Sequence, residues 1–241
     1  ILPNTSPSVA YAMEQIPLLG NLIEVVTFRD YQYSSDRNNA DVNVPQLVPE
    51  TVASTEKTTE DPVGENLKKS TDEINAEIEK ISDSLIAEFK QNMNNEGYQD
   101  IMIKHEVINT TDDYFTLKLM CYQAAGSGYE MDYYYTIDLK TGERLALKDL
   151  FKEGSDYITP ISENIKSQMR GQMDADENVS YWLDDTEVPE WNFTSLNDDT
   201  SFYINADGNL VISFNEGDVG PMSMGVVEFT IPHDVIADIL K

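Results

Sequence analysis

Apolar positions change their spacing several times along the chain, and each change marks an element. Residues 1–12 are small, polar and broken by Pro3 and Pro7, the pattern of an exposed stub. From Met13, Ile16, Leu18, Leu19, Leu22, Ile23, Val25 and Val26 follow, interrupted by Pro17 and Gly20. This predicts a short helix leading into a strand over Ile23–Tyr31. The turn formers of Ser34–Asn39 stop that strand, and a second, short one covers Ala40–Val44. Pro45, Pro49 and Pro62 stand among Thr, Ser and Glu, so 45–65 reads as a flexible, solvated loop. Over Leu67–Met93 the residues Ile74, Ile78, Ile81, Leu85 and Phe89 recur every three or four positions, as on an amphipathic helix. Gly97 stands where such a helix stops.

The spacing then shifts to alternation. Ile101–Asn109 and Tyr114–Ala124 read as strands joined at Thr111-Asp112-Asp113. Gly126-Ser127-Gly128 breaks the pattern and Tyr129–Leu139 resumes it. Lys140-Thr141-Gly142 is a turn, Leu147–Phe151 opens a helical stretch, and Tyr157–Met169 is a helix with Ile158, Ile161 and Ile165 on one face. A hairpin, Ser201–Asn205 with Leu210–Phe214, turns at Ala206–Asn209. Val226–Ile231 is a further strand, and Pro232–Leu240 a closing helix with Pro at its start. The class is α+β, antiparallel sheets with packed helices and no internal repeat. The chain divides into the stub 1–12, an N-terminal half 13–125 and a C-terminal half 126–241.

Composition narrows what such a fold can do. The 241 residues are 40% hydrophobic, enough for a core. Sixteen Lys and Arg against 44 Asp and Glu leave a formal net charge of -28. That excludes a nucleic-acid partner, because phosphate contacts need cations, and disfavours an anionic membrane surface. A basic partner fits instead. From Gly171 to Leu240 there is no Lys or Arg, whereas 15 residues are acidic. One cysteine, Cys121, rules out an internal disulfide and a cysteine zinc site. Between Leu117, Leu119 and its own apolar neighbours it reads as core. His105 and His233 stand in no metal motif. Asp174-x-Asp176-x-Asn178 opens like a calcium loop, but Val179 holds the position that needs Gly and Asp185 the one that needs Glu, so an acidic solvated loop is expected. No signature of a nucleotide, nucleophile or cofactor site is present. The expectation is a protein without catalytic residues, metal or cofactor.

Two features suggest binding and processing. Met222 and Met224, between Gly220-Pro221 and Gly225, lie in a connection between strands where no core demands them, and methionine adapts to partner surfaces. Ala10-Tyr11-Ala12 has the small-x-small pattern that signal peptidase reads, with scission expected between Ala12 and Met13. A chain starting at Ile1 reads as a piece of something longer upstream.

The opening Asn4–Pro17 and Val25–Tyr31 resemble the segment just outside the membrane in anti-sigma factors of Firmicutes. Tyr134-Tyr135-x-Ile137-Asp138-Leu139-x-Thr141-Gly142 and Leu147-x-Asp149-Leu150-Phe151 extend the likeness. Phe202-Tyr203, Gly208-x-Leu210-Val211-Ile212-x-Phe214 and Gly220-Pro221-x-Ser223-Met224-Gly225 complete it. Together, in this order, they resemble the RsiV type, whose outer domain is shared with some cell-wall polysaccharide deacetylases. The resemblance implies a single-pass, membrane-tethered protein whose cytoplasmic part holds a sigma factor and whose outer domain binds and inhibits lysozyme. Lysozyme then licenses signal peptidase to cut, and intramembrane proteolysis frees the sigma factor. Residues 1–12 would be the juxtamembrane stub and the rest the ectodomain on the outer face of the membrane. The uncharged islands Ser127, Gly128, Tyr129 and Pro221, Met222, Ser223, Met224 are then the expected lysozyme-binding residues, rimmed by the acidic stretch 174–218. The competing expectation is a glycan-binding accessory domain like that of the deacetylases, with Tyr129, Trp182 and Trp191 as platforms.

Overall fold

The computed structural model describes residues 23–49 and 62–241, which fall into two compact units. The predicted short helix from Met13 and the cleavage residues Ala10, Ala12 and Met13 lie outside the described residues.

The first unit holds the described residues up to Gly128 together with Ile137–Arg144. Its elements are β1 (Ile23–Ser34), β2 (Asn38–Pro49), α1 (Pro62–Asn92), β3 (Gln99–Thr110) and β4 (Tyr114–Ala125). β5 (Ser127–Asp138) completes a sheet of order β1-β2-β3-β4-β5, although Tyr129–Thr136 within it count with the second unit. β2 and β3 run parallel, from Asn38↔Gln99 to Val42↔Ile103. Parallel neighbours need a crossover, and α1 lies within it. Of the loop expected over 45–65, residues 45–49 are strand and 62–65 helix, and 50–61 lie outside the described residues. Pro45 and Pro49 belong to β2, and Pro62 opens α1, where its missing N–H costs nothing. Pro45 is accommodated because the β1–β2 register shifts between Thr27 and Arg29, opposite it.

Of the predicted stripe, α1 buries Ile74, Ile78, Leu85 and Phe89 and leaves Ile81 half-buried, and it also buries Leu67 and Ile86. Ala40, Val42, Val44 and Leu47 of β2, Ile101 and Ile103 of β3, and Leu117, Leu119 and Cys121 of β4 make the apolar face of the sheet. β2 outruns its pairing with β3, so Leu47 has lost its strand partner on that side. Asn75 of α1 replaces it. The Leu47 N–H donates to Asn75 Oδ1 at 2.7 Å, and Asn75 Nδ2 donates to the Leu47 carbonyl at 2.8 Å. The 140–142 turn is fastened to α1 in the same way. Ser70 Oγ donates to the Gly142 carbonyl and accepts from the Arg144 N–H, and the Arg144 guanidinium grips Glu77 at 2.6 and 3.0 Å. Gly142 has φ +74°, and a Cβ there would collide with the Val63 carbonyl oxygen.

The second unit holds Tyr129–Thr136 and Leu145–Lys241. A 3-10 turn over Leu147–Leu150 precedes α2 (Ile158–Ala175), which runs beyond the predicted Met169. β6 (Ser201–Ile204), β7 (Leu210–Phe214) and β8 (Val227–Thr230) form an antiparallel sheet in that order. Ile161, Ile165 and Met169 of α2 are fully buried, as are Ile212, Phe229 and Ile231. Phe214 meets Phe193 and Phe229 edge-on, and Phe151 stacks on Tyr157 at 4.7 Å. The closing helix is shorter than predicted. α3 spans only His233–Ile236. Beyond it Leu240 bridges to Phe151, the Lys152 N–H donates to the Ile239 carbonyl, and the Lys241 N–H to the Leu150 carbonyl. Backbone partners on 150–152 take the groups that further helix would have used.

Candidate functional site

The β4–β5 turn lies in the first unit. Gly126 alone makes the reversal, with φ +98° and open space around it. Ser127 and Gly128 are already strand, which corrects the expected three-residue break. A Cβ on Gly128 would collide with the Tyr122 hydroxyl, so glycine here lets that ring lie against the strand. Ser127 is exposed, Gly128 half-buried. Tyr129, half-buried, belongs to the second unit, as do Pro221–Met224.

The β7–β8 connection is a folded loop. The Asn215 N–H donates to Asp218 Oδ2 at 2.9 Å, and the Asp218 N–H returns to the Asn215 carbonyl. Gly220 is buried, and a Cβ on it would sit 2.7 Å from the Ser180 carbonyl oxygen. The Trp182 N–H donates to the Val219 carbonyl, which ties the loop to 180–182. Met222–Met224 is a 3-10 turn closed by Met224 N–H to the Pro221 carbonyl and ended by Gly225 at φ +67°. The two methionines part company. Met224 is half-buried and its Cγ would lie 3.7 Å from a Cβ on Gly220, whereas Met222 is 47% exposed. Ser223 is exposed and Pro221 half-buried.

Trp182 and Trp191 pack with ring centroids 5.1 Å apart, and Trp191 remains 53% exposed. They stand at the two ends of a loop closed by Phe193 N–H to the Trp182 carbonyl. Asn192 braces it, accepting from the Asp185 N–H and donating to the Asp185 carbonyl. Arg170 holds Asp184 at 2.8 and 3.2 Å, and Asp184 sits at φ +61°. The calcium-like stretch is used internally. Asp176 Oδ1 accepts from the Asn178 N–H and side-chain amide, which holds its carboxyl below the usual range.

One cluster escaped the sequence reading. Tyr134 and Tyr203 stack at 5.1 Å, and their hydroxyls donate to the two oxygens of Glu228, at 2.8 and 3.1 Å. Ser213, paired with Glu228 across β7 and β8, donates to the Tyr134 oxygen. Burial, with the Glu228 carboxylate adding to it, pushes the Tyr134 phenol far above its ordinary value. Tyr134 falls within the predicted strand Tyr129–Leu139, but nothing in the order of residues joins it to Glu228. Chemically the cluster is a carboxylate held by phenols. Among the described residues no group of His, Cys, Asp and Glu could hold a metal ion, and no described helix is long and apolar enough to cross a membrane.

A family described as a protein of unknown function, DUF3298, matches residues 148–234. Over 241 residues the chain is 36% identical to the anti-sigma-V factor RsiV of Bacillus subtilis (strain 168), covering 99% of this chain and 78% of that protein. Two crystal structures of DUF3298 proteins share the fold. One, from Bacteroides fragilis NCTC 9343, has a TM-score of 0.53 at 17% identity, with 91% of this chain and 94% of that chain covered. The other, from Pseudomonas aeruginosa PAO1, has a TM-score of 0.58 at 13% identity, with the same 91% and 94% covered.

Proposed function

The chain belongs to the RsiV family of anti-sigma factors, and from that premise we propose that it is the outer, sensing part of a membrane-anchored anti-sigma factor that binds and inhibits lysozyme. The observation that carries this reading is the 36% identity running through 99% of the chain. Binding licenses signal peptidase to cut between Ala12 and Met13, and further proteolysis releases the sigma factor held by the cytoplasmic part. The role is that of a regulator and requires no catalytic residue.

The physical chemistry supports a basic enzyme with an acidic cleft as the ligand. A net charge of -28 steers a cationic protein toward this one. A cleft carrying catalytic carboxylates repels acidic side chains, so what enters it should not be acidic. Ala124–Tyr129 and Val219–Val227 carry no charge. The 3-10 turn at Met222–Met224 is held by Gly220, Gly225 and the Val219–Trp182 hydrogen bond before any partner arrives. Such preorganisation lowers the entropy lost on binding.

The test is titration calorimetry of the chain with hen lysozyme at low and high salt, beside a lysis assay. The expected result is one-to-one binding, inhibition of lysis, and weaker affinity in salt through slower association. Absence of heat together with unchanged lysis refutes the reading. For the processing step, Ala12→Trp in the full-length protein is expected to abolish lysozyme-induced cleavage while leaving lysozyme bound. Normal cleavage on an immunoblot places the scissile bond elsewhere.

A further inference from the structure

The first unit carries a cleft of about 800 Å³ at one end of its sheet, within the size range of small-molecule sites. Three turns wall it: the β1–β2 turn at 35–38, the segment 92–98 after α1, and the β4–β5 turn at Gly126. Five of its fifteen lining residues are carboxamides.

Those amides are held in place by one another. Asn39 Nδ2 donates to Asp100 Oδ1 at 2.9 Å, across the parallel β2–β3 pair. Asn95 Nδ2 donates to Asn92 Oδ1 at 3.0 Å, and Gln99 Nε2 to Asn38 Oδ1 at 3.2 Å. A primary amide has two donors and an acceptor oxygen with two lone pairs. Each pairing therefore fixes an orientation and leaves further donors and acceptors to face the cleft. Asn38 is the anchor, buried and bonded to the Met93 carbonyl.

Tyr98 stands beside them, 72% exposed. Burial of its ring contributes nothing to the core. Its backbone is nonetheless fixed on one side, because the Gln99 N–H donates to the Arg37 carbonyl at 2.9 Å. A tyrosine ring offers a flat apolar face and a polar rim.

The same lining excludes other ligand classes. Asp36, Glu96 and Asp100 outnumber Arg37, so the field disfavours phosphates and other anions. A metal finds no group of ligands. An extended peptide would need an open strand edge. Here the walls are turns and not a strand edge, and several of their backbone groups are paired within them, as in Ser35 N–H to the Asn38 carbonyl and Asn95 N–H to the Asn92 carbonyl. Oriented amides beside an exposed aromatic ring match a molecule with many hydroxyls and one apolar face per ring.

We propose that this cleft is a binding site for a neutral oligosaccharide, with one sugar ring seated on Tyr98 and its hydroxyl or acetamido groups bonded to Asn39, Asn95 and Gln99. The site lies within the first unit and shares Ala124, Ala125 and Gly126 with the uncharged stretch read above as a lysozyme contact, but the inference rests on the cleft amides and Tyr98 and not on that reading.

The experiment uses the whole 241-residue chain, labelled with 15N, without lysozyme, titrated with triacetylchitotriose and separately with maltotriose. At least one of the two is expected to shift the side-chain amide signals of Asn39, Asn95 and Gln99 saturably at millimolar concentration. Tyr98→Ala, at an exposed position, is expected to leave the spectrum folded and weaken binding by about tenfold, a typical consequence of losing an aromatic contact of this size. Gln99→Glu keeps the shape and removes the donor, and is expected to weaken binding as well. The proposal is overturned if neither sugar moves the cleft amides, if the shifts map to another surface, or if Tyr98→Ala binds like the parent. Inorganic phosphate serves as the anionic control, and stronger shifts with it than with either sugar also overturn the proposal. Sugar binding without lysozyme binding, or the reverse, separates this site from the sensing function.

Discussion

Asn75 is the most informative single position in the first unit. Its side chain takes the place of a missing strand, accepting from Leu47 N–H and donating to Leu47 C=O at 2.7 and 2.8 Å. Leu47 is 1% exposed. Replacing Asn75 with Ala strips both bonds and leaves a buried donor and a buried acceptor. Each unsatisfied buried group costs roughly 1–3 kcal/mol. Asn75 itself is half-buried, so water reaches part of the site, and the lower end of that range applies. Alanine returns about 0.6 kcal/mol of helix propensity. The net expectation is a loss of about 1.4 kcal/mol, or a fall in Tm of about 3–6 °C for a chain of this length. Urea unfolding followed by far-ultraviolet circular dichroism reads this as a lower midpoint with an unchanged slope. Helix propensity alone predicts the opposite sign. A variant as stable as the parent, or more so, therefore sinks the argument. Asn75→Asp sharpens the test. Its ionised carboxylate still accepts from Leu47 N–H but faces the Leu47 carbonyl, so the fold favours the protonated acid and raises its pKa above the unfolded value of about 3.9. Its stabilising contribution is present below that unfolded pKa and lost as pH rises through the folded one. Relative to the parent, Asn75→Asp is expected to be less destabilised at acidic pH than at neutral pH.

Gly142→Ala is expected to cost more than about 2 kcal/mol, combining the 1–2 kcal/mol of left-handed strain with a collision against the Val63 carbonyl. Gly154→Ala, at φ +75° with nothing nearby, should cost the strain alone, and equal urea midpoints for the two variants would contradict this. Burial, aided by its hydrogen bond to Asp198, pushes the Tyr157 phenol up to about 12. Its stabilising contribution is present below the unfolded value of about 10 and lost as pH rises from there through about 12. In absorbance titration of the folded chain a Tyr157→Phe difference curve should centre well above pH 10, and a midpoint near 10 counts against the buried geometry. If the Met222 turn enters the acidic lysozyme cleft as proposed, Met222→Asp puts a like charge there, on an exposed residue. It should weaken lysozyme binding by on the order of 1–3 kcal/mol with an unchanged Tm. Parent-like calorimetry would remove the turn from the contact.

Periodicity alone announced α1 from Ile74, Ile78, Ile81, Leu85 and Phe89, and of these only Ile81 is left half-buried. It announced β3, β4 and the β6–β7 hairpin equally well, since alternation and turn residues are local properties. Cys121 was legible as core from its neighbours, and it is 3% exposed. Charge and the order of short motifs reached the family. Local signals failed where a distant partner decided the outcome. Pro45 remains in β2 because the β1 register shifts opposite it, and no rule written on residues 45–65 contains Thr27 or Arg29. The helix begun at His233 stops at Ile236 because backbone groups at 150–152 take the chain end into pairing. Ser127 and Gly128 became strand because the missing Cβ of Gly128 admits the ring of Tyr122. The same holds for the sites. Met222 and Met224 look alike in the chain, yet Met224 lies half-buried beside Gly220 and Met222 is left exposed. Glu228 meets Tyr134 across 94 residues, and Asn39 meets Asp100 across 61. Side-chain hydrogen bonds act over about 3 Å, so polar clusters form only after the chain has brought their members together. Hydrophobic pattern is spread along the sequence and survives without that step.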